Sequence, residues 1–367
     1  MPDLARIASH FCIGGRFLRA QRLRSGHINE AYAAWFRTPG GEAHRYLLQR
    51  INHHVFGSPE RLMENMDAVT AHLRAKLKAA GGDPDRETLT LVRTVDGGVL
   101  HRTPGGEYWR AMPFIEGASS YEQAANPEQV RSAGRAFGRF LALLSDFSVE
   151  RLHETIPGFH HTPGRVEALR DALQRDVINR ARAARAEIDF VEGRVAGTTK
   201  LLDLREAGRL PLRVTHNDTK LDNVLIDDET GEGICVIDLD TAMPGLSAYD
   251  FGDAVRSMTS TAAEDEPDPD RVSLDLKAYD QLVAGYLEGA GEILTIEEID
   301  CLVTGARLMT LECGIRFLTD HLDGDRYFRI RRPDHNLDRC RTQFKMVRDM
   351  EDKHDEMESI IDRYRSG

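Results

Sequence analysis

The chain is poor in cysteine, with five in 367 residues (Cys12, Cys235, Cys301, Cys313 and Cys340), an odd set without a CxxC pair. Neither a disulfide framework nor a zinc ribbon fits that set, and free thiols point to a reducing compartment. No H-E-x-x-H is present, which removes that zinc-protease pattern, and no G-x-x-x-x-G-K-[ST] occurs, which disfavours a P-loop. No run of about 18 uninterrupted apolar residues exists, so no segment is expected to span a membrane. Residues 1–14 lack a basic start followed by an apolar core, and no secretory signal is read there. Positive charge is in deficit: 48 Lys and Arg stand against 60 Asp and Glu, a formal net charge of −12. That balance weighs against nucleic acid or an anionic membrane as partner. A small anionic substrate stays open, because a divalent metal or a local cluster can reverse the potential inside a cleft. The expectation is a soluble cytoplasmic protein.

What is present is an ordinary globular composition, 41% hydrophobic and 29% charged, in a length that suits two to three domains or one enlarged two-lobed fold. Short β-like runs open the chain: Ala31–Arg37, Arg45–Ile51, Leu89–Val92, Gly98–Leu100 and Tyr108–Ile115, separated by Gly- and Pro-bearing turns. Between the second and third, Leu62, Met66, Val69, Leu73 and Leu77 recur at spacings of three and four, which predicts a helix over Pro59–Ala79. After Gly117 helical spacing takes over, at Pro127–Phe147 and again within Arg165–Glu192. Val224–Ile226 and Ile234–Leu239 read as two strands around the turn Asp227–Gly233, and helices resume from about Asp250. The reading is an α+β chain with a strand-rich lobe over 1–115 and a larger, mainly helical lobe over 116–367. Residues 261–270 read as an exposed loop, and 345–365 as a solvated surface helix.

One segment carries chemistry. His216, Asp218 and Asn223 lie on a loop that enters a strand, and Asp238 ends the next strand, so a hairpin brings them to one edge. The spacing has the grammar of the protein-kinase catalytic loop, in which an Asp receives a hydroxyl proton, an Asn five residues on holds a metal, and a following strand ends in a metal-binding Asp. Phosphoryl transfer requires mainly in-line positioning and neutralisation of phosphate charge, so hard oxygen ligands for Mg²⁺ and one carboxylate beside the acceptor suffice. On this reading Asp218 orients and deprotonates the acceptor, Asn223 and Asp238 hold the metal, and His216 braces the loop. Asp250, in Tyr249-Asp250-Phe251-Gly252-Asp253, is expected to fix the loop by capping the helix that begins there.

At these residues the sequence resembles the aminoglycoside phosphotransferase and choline kinase superfamily, the small-molecule relatives of protein kinases. The stretches 215–225, 236–245, 249–253, 46–52 and 114–117 resemble, within it, the N-acetylhexosamine 1-kinases. Where most of the superfamily has His-Gly-Asp, this chain has His216-Asn217-Asp218 followed by Thr219-Lys220. The resemblance implies a two-lobed protein-kinase-like fold and an ATP- and Mg²⁺-dependent kinase that phosphorylates the anomeric hydroxyl of N-acetylglucosamine or N-acetylgalactosamine. Asp218 then takes the catalytic role, Asn223 and Asp238 the metal, and Asp240 an assisting one. Other acceptors of the same superfamily (an aminoglycoside, choline, homoserine) and a non-catalytic nucleotide-binding regulator are the rival readings.

The nucleotide side departs from the kinase pattern. The loop expected to cover the phosphates, Arg24 to Asn29, holds one glycine, so phosphate contacts fall to backbone around Ser25 and Gly26. The third strand lacks the expected lysine and offers Gln49 or Arg50, on opposite faces. The same question leaves open the role of Glu64 on the following helix. Pro113 and Ile115 are placed at the hinge, against the adenine edge. For the acceptor the candidates are His27, Arg316 and Tyr327; Glu312, Arg316 and Asp320 follow one another at i, i+4, which reads otherwise as exposed ion pairs. His160 and His161 read as an exposed pair in a turn.

Overall fold

A computed structural model describes residues 2–23 and 28–365. The first layer is a five-stranded antiparallel sheet. Helix α1 (Leu4–Ala8) precedes strands β1 (Arg16–Arg22), β2 (Glu30–Arg37) and β3 (Ala43–Ile51); helix α2 (Pro59–Ala79) follows, then β4 (His101–Arg102) and β5 (Tyr108–Pro113), and the spatial order is β1-β2-β3-β5-β4. One face of the sheet closes over Tyr32, Ala34, Phe36, Leu48, Trp109 and Ala111. The α2 stripe Leu62, Met66, Val69 and Leu73 joins the main core, as its spacing requires. Leu89–Val92 is not a strand. It stays irregular, held by single bonds such as Val92 N–H to Ala111 O at 2.9 Å, whereas β1, too polar to show an alternating pattern, pairs along β2.

The second layer is mostly helical. Strand β6 (Ala118–Ser119) leads to α3 (Pro127–Leu143), α4 (Thr162–Arg175), α5 (Arg185–Glu192) and α6 (Lys200–Glu206). The strands β7 (Arg213–Thr215), β8 (Val224–Asp227), β9 (Gly233–Val236) and β10 (Met243–Gly245) come next, and helices α7 (Ser247–Met258), α8 (Leu276–Ala290), α9 (Ile296–Asp300), α10 (Leu302–Leu322), α11 (His335–Asp352) and α12 (His354–Arg365) complete the chain. Pro-bearing first turns start α2, α3 and α4, where a missing N–H costs nothing. Helical spacing over 165–192 resolves into two helices, because Asp176 takes a left-handed φ of 30° that ends α4.

The C-terminal stretch differs from its expected solvated character. Met346, Val347, Met350, Met357, Ile360 and Ile361 are buried, so α11 and α12 close the core beneath a charged outer face. The loop 261–270 is likewise tied down: Arg332 donates to Asp265 O at 2.6 Å and His335 Nε2 meets Asp265 Oδ2 at 2.8 Å.

Helices α7 and α10 cross with backbones in contact. A Cβ on Gly305 would lie 2.2 Å from the Ala248 carbonyl oxygen, and a Cβ on Gly252 would lie 2.3 Å from the Gly305 oxygen. Gly305→Ala is therefore expected to push α10 off α7 and destabilise the protein by about 2–3 kcal/mol, as other overpacked sites do. A chemical-denaturation midpoint equal to wild type would contradict this.

Candidate active site

Strands β8 and β9 form a hairpin with Val224 opposite Val236. The residue before β8 and those after β9 are thereby neighbours: Ile237 N–H donates to Asn223 O at 2.9 Å, which sets Asp238 beside Asn223. Asp238 lies past the strand end, at a left-handed φ of 59°, and Leu239–Thr241 forms a 3₁₀ turn. The expected strand over 234–239 thus stops at Val236.

The catalytic-loop segment is held from three sides. Asp250 lies inside the first turn of α7 and accepts the backbone N–H of His216 at 2.8 Å and of Asn217 at 2.7 Å, so it fixes the loop by direct bonds rather than by capping its helix. Burial raises its pKa to about 6, against the lowering effect of His216 and the two N–H donors. His216 Nε2 donates to Ile237 O at 2.8 Å while its Nδ1 accepts Asp218 N–H at 3.3 Å, the bracing expected of it. Asn217 has φ 64°, a conformation open to glycine and asparagine, and its amide bonds Thr241 O at 2.9 Å. An Asn can therefore stand where a Gly would serve.

Asp218 is a third exposed. Its Oδ2 accepts Asn223 Nδ2 at 3.0 Å and lies 3.4 Å from Lys220 Nζ. Asn223 also donates to Asp218 O at 2.8 Å, which spends its amide N–H groups and leaves Oδ1 available. Lys220 is driven against the direction of its burial, its pKa raised by Asp218, Asp222 and Asp238. Among the described residues the Asp238 carboxylate accepts no hydrogen bond and joins no ion pair. Burial first, then the charges of Asp240 and Asp218, push its pKa up to about 6. An open carboxylate, a free amide oxygen and crowded negative charge are a donor set that fits a hard divalent cation. No group of three or more His, Cys, Asp and Glu among the described residues forms a metal cage. Such a cation would therefore draw further oxygens from water or phosphate.

On the sheet side, Gln49 and Arg50 lie on opposite faces. Arg50 is engaged by Glu30 at 2.8 Å and Glu107 at 2.5 Å, and no bond joins it to the Asp218–Asp238 cluster among the described residues. Gln49 accepts Arg110 Nε at 2.9 Å, and Arg110, 1% exposed, reaches Asp240 with both terminal nitrogens. Glu64 is turned to the exposed His153 ring at 2.6 Å. Pro113 ends β5 at the surface, and none of the backbone hydrogen bonds of the described residues uses Ile115. Ser25, Gly26 and His27 lie outside the described residues.

On the helical side two expectations are corrected. His160 is not an exposed turn residue: its Nδ1 meets Glu312 Oε1 at 3.0 Å and its Nε2 meets Asn217 O at 3.2 Å. Both partners are acceptors, so the ring is a doubly donating imidazolium. Burial alone would lower its pKa, but the Glu312 bond and charge outweigh that and raise it. Glu312 and Asp320 are not exposed ion-pair members either. Glu312 also accepts Thr162 Oγ1 at 2.6 Å, and Asp320 accepts the N–H groups of Arg326, Tyr327 and Phe328 at 2.8–2.9 Å. Arg316 lies over the Phe159 and Phe328 rings, 5.9 and 5.5 Å from their centroids, and joins no ion pair among the described residues, although its charge helps to lower the Glu312 pKa; Tyr327 is exposed.

Arg110, His160 and Glu312 had no assigned role in the sequence. A charged residue inside the otherwise apolar run Tyr108–Ile115 was the signal for Arg110, and nothing in local spacing announced a partner 152 residues from His160.

Comparison with known proteins bears on the fold and the family. The fold matches spectinomycin phosphotransferase in complex with ADP and spectinomycin (16% identity, 95% of this chain and 97% of that one, TM-score 0.57). It matches choline kinase from Cryptosporidium parvum Iowa II (14%, 99% and 99%, 0.57) and amicoumacin kinase in complex with AMP-PNP and Ca²⁺ (12%, 93% and 92%, 0.57). At these identities the likeness is one of fold, the two-lobed protein-kinase-like fold. The phosphotransferase enzyme family matches residues 19–286, most of the chain, including the loop His216–Asn223, Asp238 and Arg110 but not Glu312, Arg316 or Tyr327. The chain belongs to that family, the aminoglycoside phosphotransferase and choline kinase superfamily of small-molecule kinases.

Proposed function

We propose that this phosphotransferase is an ATP- and Mg²⁺-dependent N-acetylhexosamine 1-kinase, in which 1–115 serves the nucleotide and 116–367 carries catalysis and the acceptor. The observation that carries the acceptor class is Arg316: a cation that joins no ion pair among the described residues, flanked by two aromatic rings, on the helix whose Glu312 reaches the catalytic loop through His160. The Arg316 charge opposes a cationic acceptor such as choline or an aminoglycoside, and its N–H donors suit the hydroxyls and acetamido oxygen of a neutral sugar. Tyr327 and His27 complete the acceptor side in this reading.

Asp218 Oδ2 is held by Asn223 and Lys220, which leaves Oδ1 to take the anomeric proton. The sugar oxygen attacks the γ-phosphorus, a P–O bond forms, the bond to the β–γ bridging oxygen breaks, and ADP leaves. Asn223 and Asp238 would hold a divalent cation, which would supply neutralisation of phosphate charge. In this reading the backbone at Pro113 and Ile115 serves the adenine edge, and Gln49, bonded to Arg110, serves the phosphate side rather than Arg50, which Glu30 and Glu107 engage. The free thiols and the absence of a helix long and apolar enough to cross a membrane, among the described residues, support a cytoplasmic site of action.

ADP release with Mg²⁺-ATP is expected with N-acetylglucosamine or N-acetylgalactosamine and not with choline, homoserine or kanamycin, the product carrying phosphate at the anomeric carbon. Turnover of an amine instead would leave the family intact and overturn the sugar. Tight nucleotide binding without turnover of any acceptor would favour the regulator.

A further inference from the structure

In the kinase pattern a lysine on the third strand faces the α- and β-phosphates and pairs with a glutamate on the following helix. Both are missing here. The third-strand residue on the cleft face is Gln49, and α2 presents the sulfur atoms of Met63 and Met66, 3.8 and 3.4 Å from the Arg110 guanidinium. Glu64 is committed to His153.

Arg110 comes from β5, where it is the register partner of Gln49. Its guanidinium is spread over Asp240, which also accepts the Asn29 amide; Asn29 in turn accepts Asn52 N–H at 3.0 Å. Asp240, two residues after Asp238, thus gathers donors from β5 and from the turn before β2. The charges of Arg110 and Lys220 both favour the ionised Asp238 carboxylate, against its burial. A buried ion pair set between two methionines adds little to stability compared with an apolar pair of the same volume, so its presence calls for a functional account.

We propose that Arg110 replaces the third-strand lysine from strand β5: paired with Asp240, it is a positioning residue that holds the Asp238 loop in the arrangement that binds metal and nucleotide together. The inference rests on the reading of Asp238 as a metal ligand and is independent of the sugar assignment.

The test is calorimetric titration of ADP, without acceptor, in Mg²⁺ and in EDTA. In Arg110→Met the gain in ADP affinity on adding Mg²⁺ is expected to shrink by about 10- to 100-fold, the usual cost of losing a partner behind a metal ligand, with affinity in EDTA close to wild type. Adding Gln49→Lys to Arg110→Met returns a cation to β3 beside Asp240 and is expected to restore most of that gain, which a packing role would not. An unchanged Mg²⁺ effect in Arg110→Met, or a double variant no better than the single one, overturns the proposal. If Arg110→Met does not fold, Asp240→Asn carries the same expectation, and a wild-type Mg²⁺ effect in it is equally fatal. A wild-type protein without any Mg²⁺ effect sinks the metal reading and this proposal with it; the other failures sink the proposal alone.

Discussion

Asp218→Asn is expected to lower kcat by about 10³-fold while leaving the KM values for nucleotide and sugar near those of wild type. The replacement keeps shape and can still accept the Asn223 amide at the oxygen that now receives it at 3.0 Å. It removes the carboxylate proposed to take the acceptor proton as the new bond forms. General bases contribute about 10²–10⁴-fold, so the barrier rises by about 4 kcal/mol. Lys220 loses one partner but retains Asp222 at 3.7 Å, so the loop keeps its charge balance. Steady-state kinetics under both saturating substrates measures this, with circular dichroism as the control for folding. Retention of more than about a tenth of kcat would remove Asp218 from the base role, because no positioned proton acceptor acts so weakly.

The second large effect pairs a loss with a gain. Asp238→Asn should abolish measurable turnover, because an amide oxygen is a weaker ligand for a hard cation than a carboxylate. The same change should stabilise the metal-free protein. The Asp238 carboxyl has a pKa raised from 3.8 to about 6 in the fold, by burial and by Asp240 and Asp218, so the folded state binds its proton more tightly than the unfolded chain. Ionising it therefore costs stability progressively as pH rises between about 4 and 6, and above that window the cost is complete. Two pH units correspond to about 2–3 kcal/mol, which Asp238→Asn should recover at pH 7 to 8 and not below about pH 4. Added Mg²⁺ and ADP should then raise the melting temperature of wild type and not of the variant, since only a protein that binds them gains from mass action. A variant less stable than wild type at pH 8, in the absence of metal, would refute the crowding argument. Functional sites commonly hold such charge, a stability disadvantage that the bound ligand relieves.

Much of this site could be read from local sequence. Asp218 and Asn223 are five residues apart on one loop, and Asp238 follows across a hairpin whose turn is short, so their meeting depends on a few neighbouring residues alone. The same locality made α2 legible to its ends, since a 21-residue stripe with a proline at its start leaves few alternatives. Where the pattern was short or its apolar residues few, it misled. Leu89–Val92 has strand-forming residues but no neighbour to pair with along its length, and polar β1 becomes a strand because β2 offers it an edge.

The amino-acid sequence by itself determined the order of strand-rich and helical segments, the loop His216–Asn223, and the candidate oxygen ligands Asn223 and Asp238 at its edge. Tertiary structure alone decided the charges around them. His160 meets Glu312 across 152 residues, and Arg110 meets Asp240 across 130. Whether such a group is solvated on a surface or buried against an opposite charge depends on how helices and sheet pack. That packing turns a histidine expected at the surface into an imidazolium beneath the loop of Asn217, and an arginine in an apolar strand into the buried partner of Asp240. Periodicity reports which face of an element is apolar; it carries no information about which distant charge that face will meet.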